Sequence, residues 1–301
     1  RKIIPGYLEV KLPIANIGKV KNHGYELSLT WRDRVSDFNY HIGANLSYAK
    51  NEIVFEDEIP YPYDYMRKTG KPVGQQFGRV SDGFFSEKDV ERYEASKGKK
   101  DGIPDHGTGF KPKAGDVKYK DLNGDGKIDE LDVSAIGYPA YPLLTGGVNM
   151  GFSFKGFDFS MTWSGATMTS RYLGDIYREP FGSTNARSLM KYMVTDSWTA
   201  EKGNSAKAPA ISFTNKTNNY VDSDMWLRDA SYIRLKNMEI AYNLPKKALA
   251  KMKISSLRFS LSGYNLLTFD KLKIVDPETR ANDKSLYPLV TVFNFGAKIG
   301  F

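Results

Sequence analysis

The chain has 301 residues, 41% of them hydrophobic, with a mean hydropathy of -0.47 and 43 basic against 35 acidic residues for a formal charge of +8. No run approaches the ~18 consecutive apolar residues of a membrane helix, and the absence of cysteine removes disulfide scaffolds, Cys-ligated zinc and thiol catalysis. The two signs of charge are interspersed, with no basic arm, recognition helix or RNA-binding consensus, so nucleic acid is not an expected partner.

The chain opens at Arg1 without an initiator Met or a signal segment, which predicts a processed or truncated product. Residues 1 to 20 read as irregular, punctuated by Pro5, Pro13 and Gly18. From there Tyr25, Leu27, Leu29 and Trp31 alternate with polar residues, and after a tight link Phe38, Tyr40, Ile42, Ala44, Leu46 and Tyr48 do the same. A period of two predicts two long antiparallel strands, near the ~9 to 11 residues that cross a bilayer at a tilt. A long excursion over about 52–142 follows. Gly146 to Phe154 and Phe157 to Trp163 then alternate on either side of Lys155 and Gly156, the clearest hairpin of the chain.

A second excursion over about 170–229 ends at a strand from Ser231 to Leu244. Its apolar parity changes from odd (Ile233, Leu235) to even (Met238, Ile240, Tyr242), which predicts a bulge or a membrane exit near Lys236. Leu257 opens a strand to about Phe269, and a third excursion over about 271–286 leads to the last segment, Tyr287 to Phe301. There Leu289, Phe293, Phe295, Ala297, Ile299 and Phe301 form one apolar face that runs to the final residue. Phe293, Phe295, Ile299 and Phe301 are read as an outer-membrane insertion signal, since outer-membrane barrels end in such an aromatic strand.

Short and long connections alternate throughout, as the tight turns and large extracellular loops of transmembrane barrels do. The fold class is therefore all-β, an antiparallel transmembrane β-barrel. About seven strands would leave two open edges in lipid, where unpaired backbone groups are costly, so the chain is expected to be the closing part of a larger barrel. The alternative from the same residues is a soluble, calcium-stabilised β-rich adhesion or dockerin-like binding module.

Six ordered motifs point further. NIGKVKNHGYELSL (16–29), VGQQFG (73–78) with DGFFSEKDVERYEA after it, KYKDLNGDGKIDELDVSAIG (118–137), WLRDASYIRLKNMEIAYNLP (226–245), LRFSLSGYNLLTFDK (257–271) and the terminal strand together resemble the SusC/RagA-type TonB-dependent outer-membrane transporters. The resemblance covers nearly the whole chain. It implies the C-terminal part of a barrel of about 22 strands, without its signal sequence, TonB-contacting segment, plug and earlier strands. It also implies import of oligosaccharides or peptides, a SusD-like surface lipoprotein as lid, and energy from the TonB complex through the plug.

The sharpest local motif is DLNGDGKIDELD. Asp121, Asn123, Asp125, Lys127 through its carbonyl, Asp129 and Asp132 sit at positions 1, 3, 5, 7, 9 and 12 of a calcium loop, with Gly126 at position 6. A structural Ca²⁺ is one reading and an Asx-rich turn closed by its own hydrogen bonds is the other. His23, His41 and His106 form no metal or triad pattern, and HExxH, GxSxG, Walker A and dinucleotide signatures are absent, so an enzyme is not expected. The excursion aromatics Tyr61, Tyr63, Tyr65, Phe84, Phe85, Tyr177, Trp198 and Trp226 are candidate ligand contacts, because flat faces pack against sugars and peptides. Packing of excursion against excursion is the competing reading.

Overall fold

The computed structural model describes residues 18–99, 102–182, 188–250, 254–279 and 289–301. Residues 1–17, part of the third excursion and the first residues of the expected terminal segment, Tyr287 and Pro288, lie outside them. In chain order the strands are β1 (Gly18–Val35), β2 (Phe38–Glu56), β3 (Gln76–Arg79), β4 (Ser81–Phe84), β5 (Val117–Tyr119), β6 (Val133–Ile136), β7 (Leu144–Phe154), β8 (Phe157–Thr167), β9 (Ser170–Tyr172), β10 (Leu227–Asp229), β11 (Tyr232–Asn243), β12 (Ser256–Asp270) and β13 (Val292–Gly300).

Seven of them form one antiparallel sheet in the order β1-β2-β7-β8-β11-β12-β13, each strand beside its neighbour in that meander. Its two faces can be followed across all seven strands. One row runs Trp31, Ile42, Met150, Met161, Met238, Gly263, Phe293, and the next runs Arg32, His41, Gly151, Ser160, Glu239, Ser262, Asn294. Neighbouring rows point to opposite faces, so one face is apolar and the other polar or small. Cross-strand aromatics reinforce the apolar face: the rings of Phe152 and Phe159 lie 5.4 Å apart, and those of Phe157 and Tyr242 4.5 Å.

This continuity needs the bulge near Lys236. The β11 register shifts between Leu235 and Asn237 against both neighbours. The extra residue keeps Leu235 opposite Trp163 and still returns Met238 to Met161 on the same face. The β7–β8 reversal is a two-residue turn with positive φ at Lys155 (46°) and Gly156 (88°), the twist that suits a tight hairpin.

Strand limits differ from the sequence expectation at three places. Strand β1 already begins at Gly18, inside the stretch expected to be irregular, because residues 18–20 pair with the extended end of β2. Strand β2 continues to Glu56, so the first excursion starts at Asp57 rather than near Glu52. Its ladder with β7 ends at Tyr48, and beyond it β2 stays paired with β1, with Lys21 and Glu52 at 2.9 Å, while Ile53 exchanges backbone hydrogen bonds with Gly70 and Lys71. At the other end β13 begins at Val292.

The first two excursions fold into a cap with its own cores. Short pairs β3–β6, β4–β5 and β9–β10 supply its frame. Helix α1 (Glu87–Ser96) starts at a capping box, in which the Ser86 hydroxyl accepts from the Asp89 amide and the Asp89 carboxylate accepts from the Ser86 amide. Three buried clusters fill the cap: Phe84, Val117, Tyr119 and Ile128; Phe85, Tyr93 and Ile103; and Leu173, Ala208, Tyr220, Trp226 and Leu272.

Candidate functional site

The meander sends all three long connections from the same end of the sheet, so the cap stands over that end alone. Segments about a hundred residues apart hold it together. The buried Asn219 side chain accepts from the Val117 amide at 3.0 Å and donates to Asp116 at 2.7 Å, while its carbonyl accepts the Trp226 indole N–H at 2.7 Å. Asn218 donates to the Val117 carbonyl at 2.9 Å, and Tyr119 donates to the Asn218 carbonyl at 2.8 Å. His106 completes this block, bonded to Asn218 at 2.8 Å and stacked on Phe110 with ring centres 4.9 Å apart. Burial pushes the His106 imidazole down to about 4, so it is neutral at physiological pH.

On the polar face below the cap, Arg234 is almost wholly enclosed. It donates to the Thr268 hydroxyl at 2.9 Å, and its guanidinium pairs with both Asp276 and Glu278. Lys236 and the Tyr232 hydroxyl also donate to Glu278, each at 2.6 Å. Burial raises the Glu278 carboxyl, but hydrogen bonds from Lys236 and Tyr232 and the Arg234 charge outweigh it and hold it below its ordinary value. From β9, Arg171 donates to the carbonyls of Asp276, at 3.1 Å, and Thr279. Residues 272–279 are thus a strap fastened across the mouth of the polar face. Beside it lies a cleft of about 340 Å³ bordered by Tyr177, Thr268, Lys273, Ile274 and Thr279. A phenol, both signs of charge and a short apolar wall suit a polar oligomer with some apolar surface. At the opposite end of the same face, Arg258 pairs with Asp158 and Glu239, and Asn243 donates to Asp158 at 2.8 Å.

The candidate aromatics separate. Phe84, Phe85 and Trp226 are 3%, 0% and 1% exposed and belong to the cap cores, so they have no face to offer a ligand. Trp198 is partly buried against the Phe84 cluster, and Tyr177 against the Leu173 cluster while bordering the cleft. Tyr63 and Tyr65 stack at 5.3 Å with planes 6° apart, and the Tyr65 hydroxyl donates to the Leu131 carbonyl at 2.7 Å. Tyr61, in the same stretch, is half-buried. Arg234, Asp276, Glu278, Asn218 and Asn219 were not singled out by sequence. Only the parity change at Lys236 marks that neighbourhood.

In the 121–132 loop the acceptors are turned on the loop's own amides. Asp121 accepts from Gly124 and Gly126, both at 2.7 Å, Asn123 from Asp125 at 3.0 Å, and Asp125 from Lys127 at 2.8 Å. Asp129 accepts from Leu131 at 2.7 Å, and the fully buried Asp132 from Leu122 and Asp129 at 2.7 and 2.9 Å. Burial raises the Asp132 carboxyl against those two bonds. Among the described residues no three acidic or histidine side chains converge on a point that would hold a metal. These acceptors therefore close the loop on its own amides.

No family model matches the chain. Among curated proteins, it is 29% identical over 325 residues to TonB-dependent receptor P3 of Formosa agariphila, covering 99% of this chain and 30% of that protein. It is 29% identical over 289 residues to TonB-dependent receptor P26 of the same organism, covering 91% of this chain and 27% of the relative. The chain therefore spans less than a third of the length of these relatives. Among solved structures, the RagAB peptide transporter superposes with a TM-score of 0.68 at 21% identity over 95% of this chain and 29% of that chain. The RagAB peptide importer in its closed-closed state gives 0.68 at 22%, over 95% and 30%. At these identities the structural likeness establishes the fold.

Proposed function

From a chain that has the C-terminal barrel fold of a SusC/RagA-type TonB-dependent transporter of the outer membrane, we propose a role in importing nutrient oligomers across that membrane. The observation that carries this reading is the two-faced sheet, apolar along one face and polar or small along the other over seven strands, with a folded cap at one end. An apolar face of this extent fits lipid, and the polar face fits a water-filled lumen through which a solute passes. Strands β1 and β13 each have one unpaired edge among the described residues. Further strands of the parent polypeptide close the barrel, because open edges are not stable in lipid.

In this reading the cap and the strap at 272–279 shape the outer mouth, a SusD-like surface lipoprotein covers it, and the TonB complex drives passage through a plug carried elsewhere in the polypeptide. The cargo is a peptide or an oligosaccharide. The peptide named for the RagAB transporter belongs to that protein, and the cleft beside the strap accommodates the chemistry of either. The soluble calcium-stabilised module is disfavoured by the terminal strand, where Phe293 and Phe295 are 70% and 76% exposed on a face that water would have to cover.

The test is uptake by cells carrying or lacking the intact parent gene, supplied with fluorescent peptide and oligosaccharide pools. One pool accumulates only in carrying cells and stops on collapse of the proton gradient. Accumulation of both pools independent of the gene would sink the proposal. Extraction into detergent of a species much heavier than 33.9 kDa with a bound lipoprotein is the accompanying biochemical expectation.

A further inference from the structure

The lipid-facing side of the sheet is not evenly filled. Near the capped end one row runs Leu27, Leu46, Gly146, Gly165, Ile233, Phe269, and its two central positions carry no side chain. The surface sinks there to the backbone. Val148 and Trp163 close the trench toward the middle of the sheet, and Trp163 stacks with Phe269 at 6.4 Å across β11 to make one wall. The resulting hollow holds about 790 Å³, and Lys271 borders it at the capped end. That lysine is 75% exposed and lies 2.9 Å from Asp229. A Cβ at Gly146 would meet the Asn45 carbonyl at 2.9 Å, and one at Gly165 the Tyr232 carbonyl at 2.8 Å, so no larger residue enters the floor without a shift.

We propose that this trench seats one acyl chain of an anionic, phosphate-bearing lipid of the outer leaflet, with the Lys271 ammonium at its headgroup. The site rests on the membrane placement of the sheet and is independent of what the barrel transports. It is continuous with the face that lipid already covers, so lipid is the molecule that meets it. Between lipid and an apolar wall there is no hydrophobic driving force, and selection comes from dispersion contacts where shapes match. A trench bordered by Val148, Trp163 and Phe269 gives one chain more such contacts than a flat face does. An exposed ion pair is worth little, so the Lys271–Asp229 pair yields readily to a phosphate at the capped end.

Native mass spectrometry of the full-length transporter in detergent tests this, with phosphatidylglycerol and phosphatidylcholine of identical chains as probes. One phosphatidylglycerol is expected to survive activation that strips the rest. Gly165→Leu, whose side chain occupies the floor and removes those dispersion contacts, lowers its retention toward that of the lipids that are stripped. Lys271→Gln abolishes the preference for phosphatidylglycerol and leaves phosphatidylcholine retention unchanged. Should Gly165→Leu fail to assemble, Ala44→Leu narrows the same trench from β2 and carries the same expectation. An assembled trench variant that retains lipid like the wild type overturns the proposal. So does retention only of the acyl anchor of a copurifying lipoprotein.

Discussion

Asn219 donates to Asp116 at 2.7 Å although 103 positions separate them, and both side chains are buried. That bond joins the first excursion to the second. Asn219→Ala removes it together with the bond from the Val117 amide, leaving a buried donor and a buried carboxylate oxygen without those partners. The expected cost is about 1–3 kcal/mol per unsatisfied group. Hydrogen exchange on the intact transporter should show faster exchange in both 84–119 and 215–226. Change confined to the second segment would mean the excursions are not coupled through this residue.

The strap at 272–279 should depend on Arg234 and on pH. Arg234→Gln takes the buried guanidinium from the partly exposed Asp276 and Glu278, while Lys236 and Tyr232 still donate to Glu278, a loss of about 1–3 kcal/mol. Proteolysis within the strap is the readout. The Glu278 carboxyl is held below its ordinary value of 4.5, so the native state binds fewer protons than the unfolded one. Its stabilising contribution is complete above that value and is lost as pH falls through the lower folded one. Strap protection should therefore be flat from neutrality to about pH 5 and decline in stronger acid, and Glu278→Gln should remove that decline.

Deleting Lys236 removes the extra residue of β11. Register then forces Met238, Ile240 and Tyr242 toward the lumen or Ile233 and Leu235 off the lipid face, because a one-residue slip reverses every side chain. The barrel should fail to assemble and lose its heat-modifiable band on gels. Lys236→Ala, which keeps the residue count, should assemble and lose only the two bonds to Glu278.

The 121–132 loop is expected to keep its order without calcium, since its acceptors already bind loop amides. Exchange at these amides should be the same in calcium and in chelator, whereas Asp132→Ala should speed it at Leu122 and Asp129. Slower exchange only when calcium is present would establish the ion site that the spacing of Asp121, Asn123, Asp125 and Asp129 suggests.

Much of the wall was legible in the sequence by itself. Side-chain alternation is a local consequence of the pleat, so the sequence determined the strands, their apolar parity, the turn at Lys155 and Gly156, and the slip at Lys236. The order of short and long connections likewise determined that one end of the sheet is capped. Only the tertiary structure decided which excursion aromatics are core. Phe84, Phe85 and Trp226 look the same as Tyr177 in sequence, and their burial depends on segments about a hundred residues away. The partners of Arg234 and Asn219 are equally non-local, fixed by where the strap and the two excursions meet. The trench at Gly146 and Gly165 exists because strand register sets two glycines side by side, and register belongs to the assembled sheet.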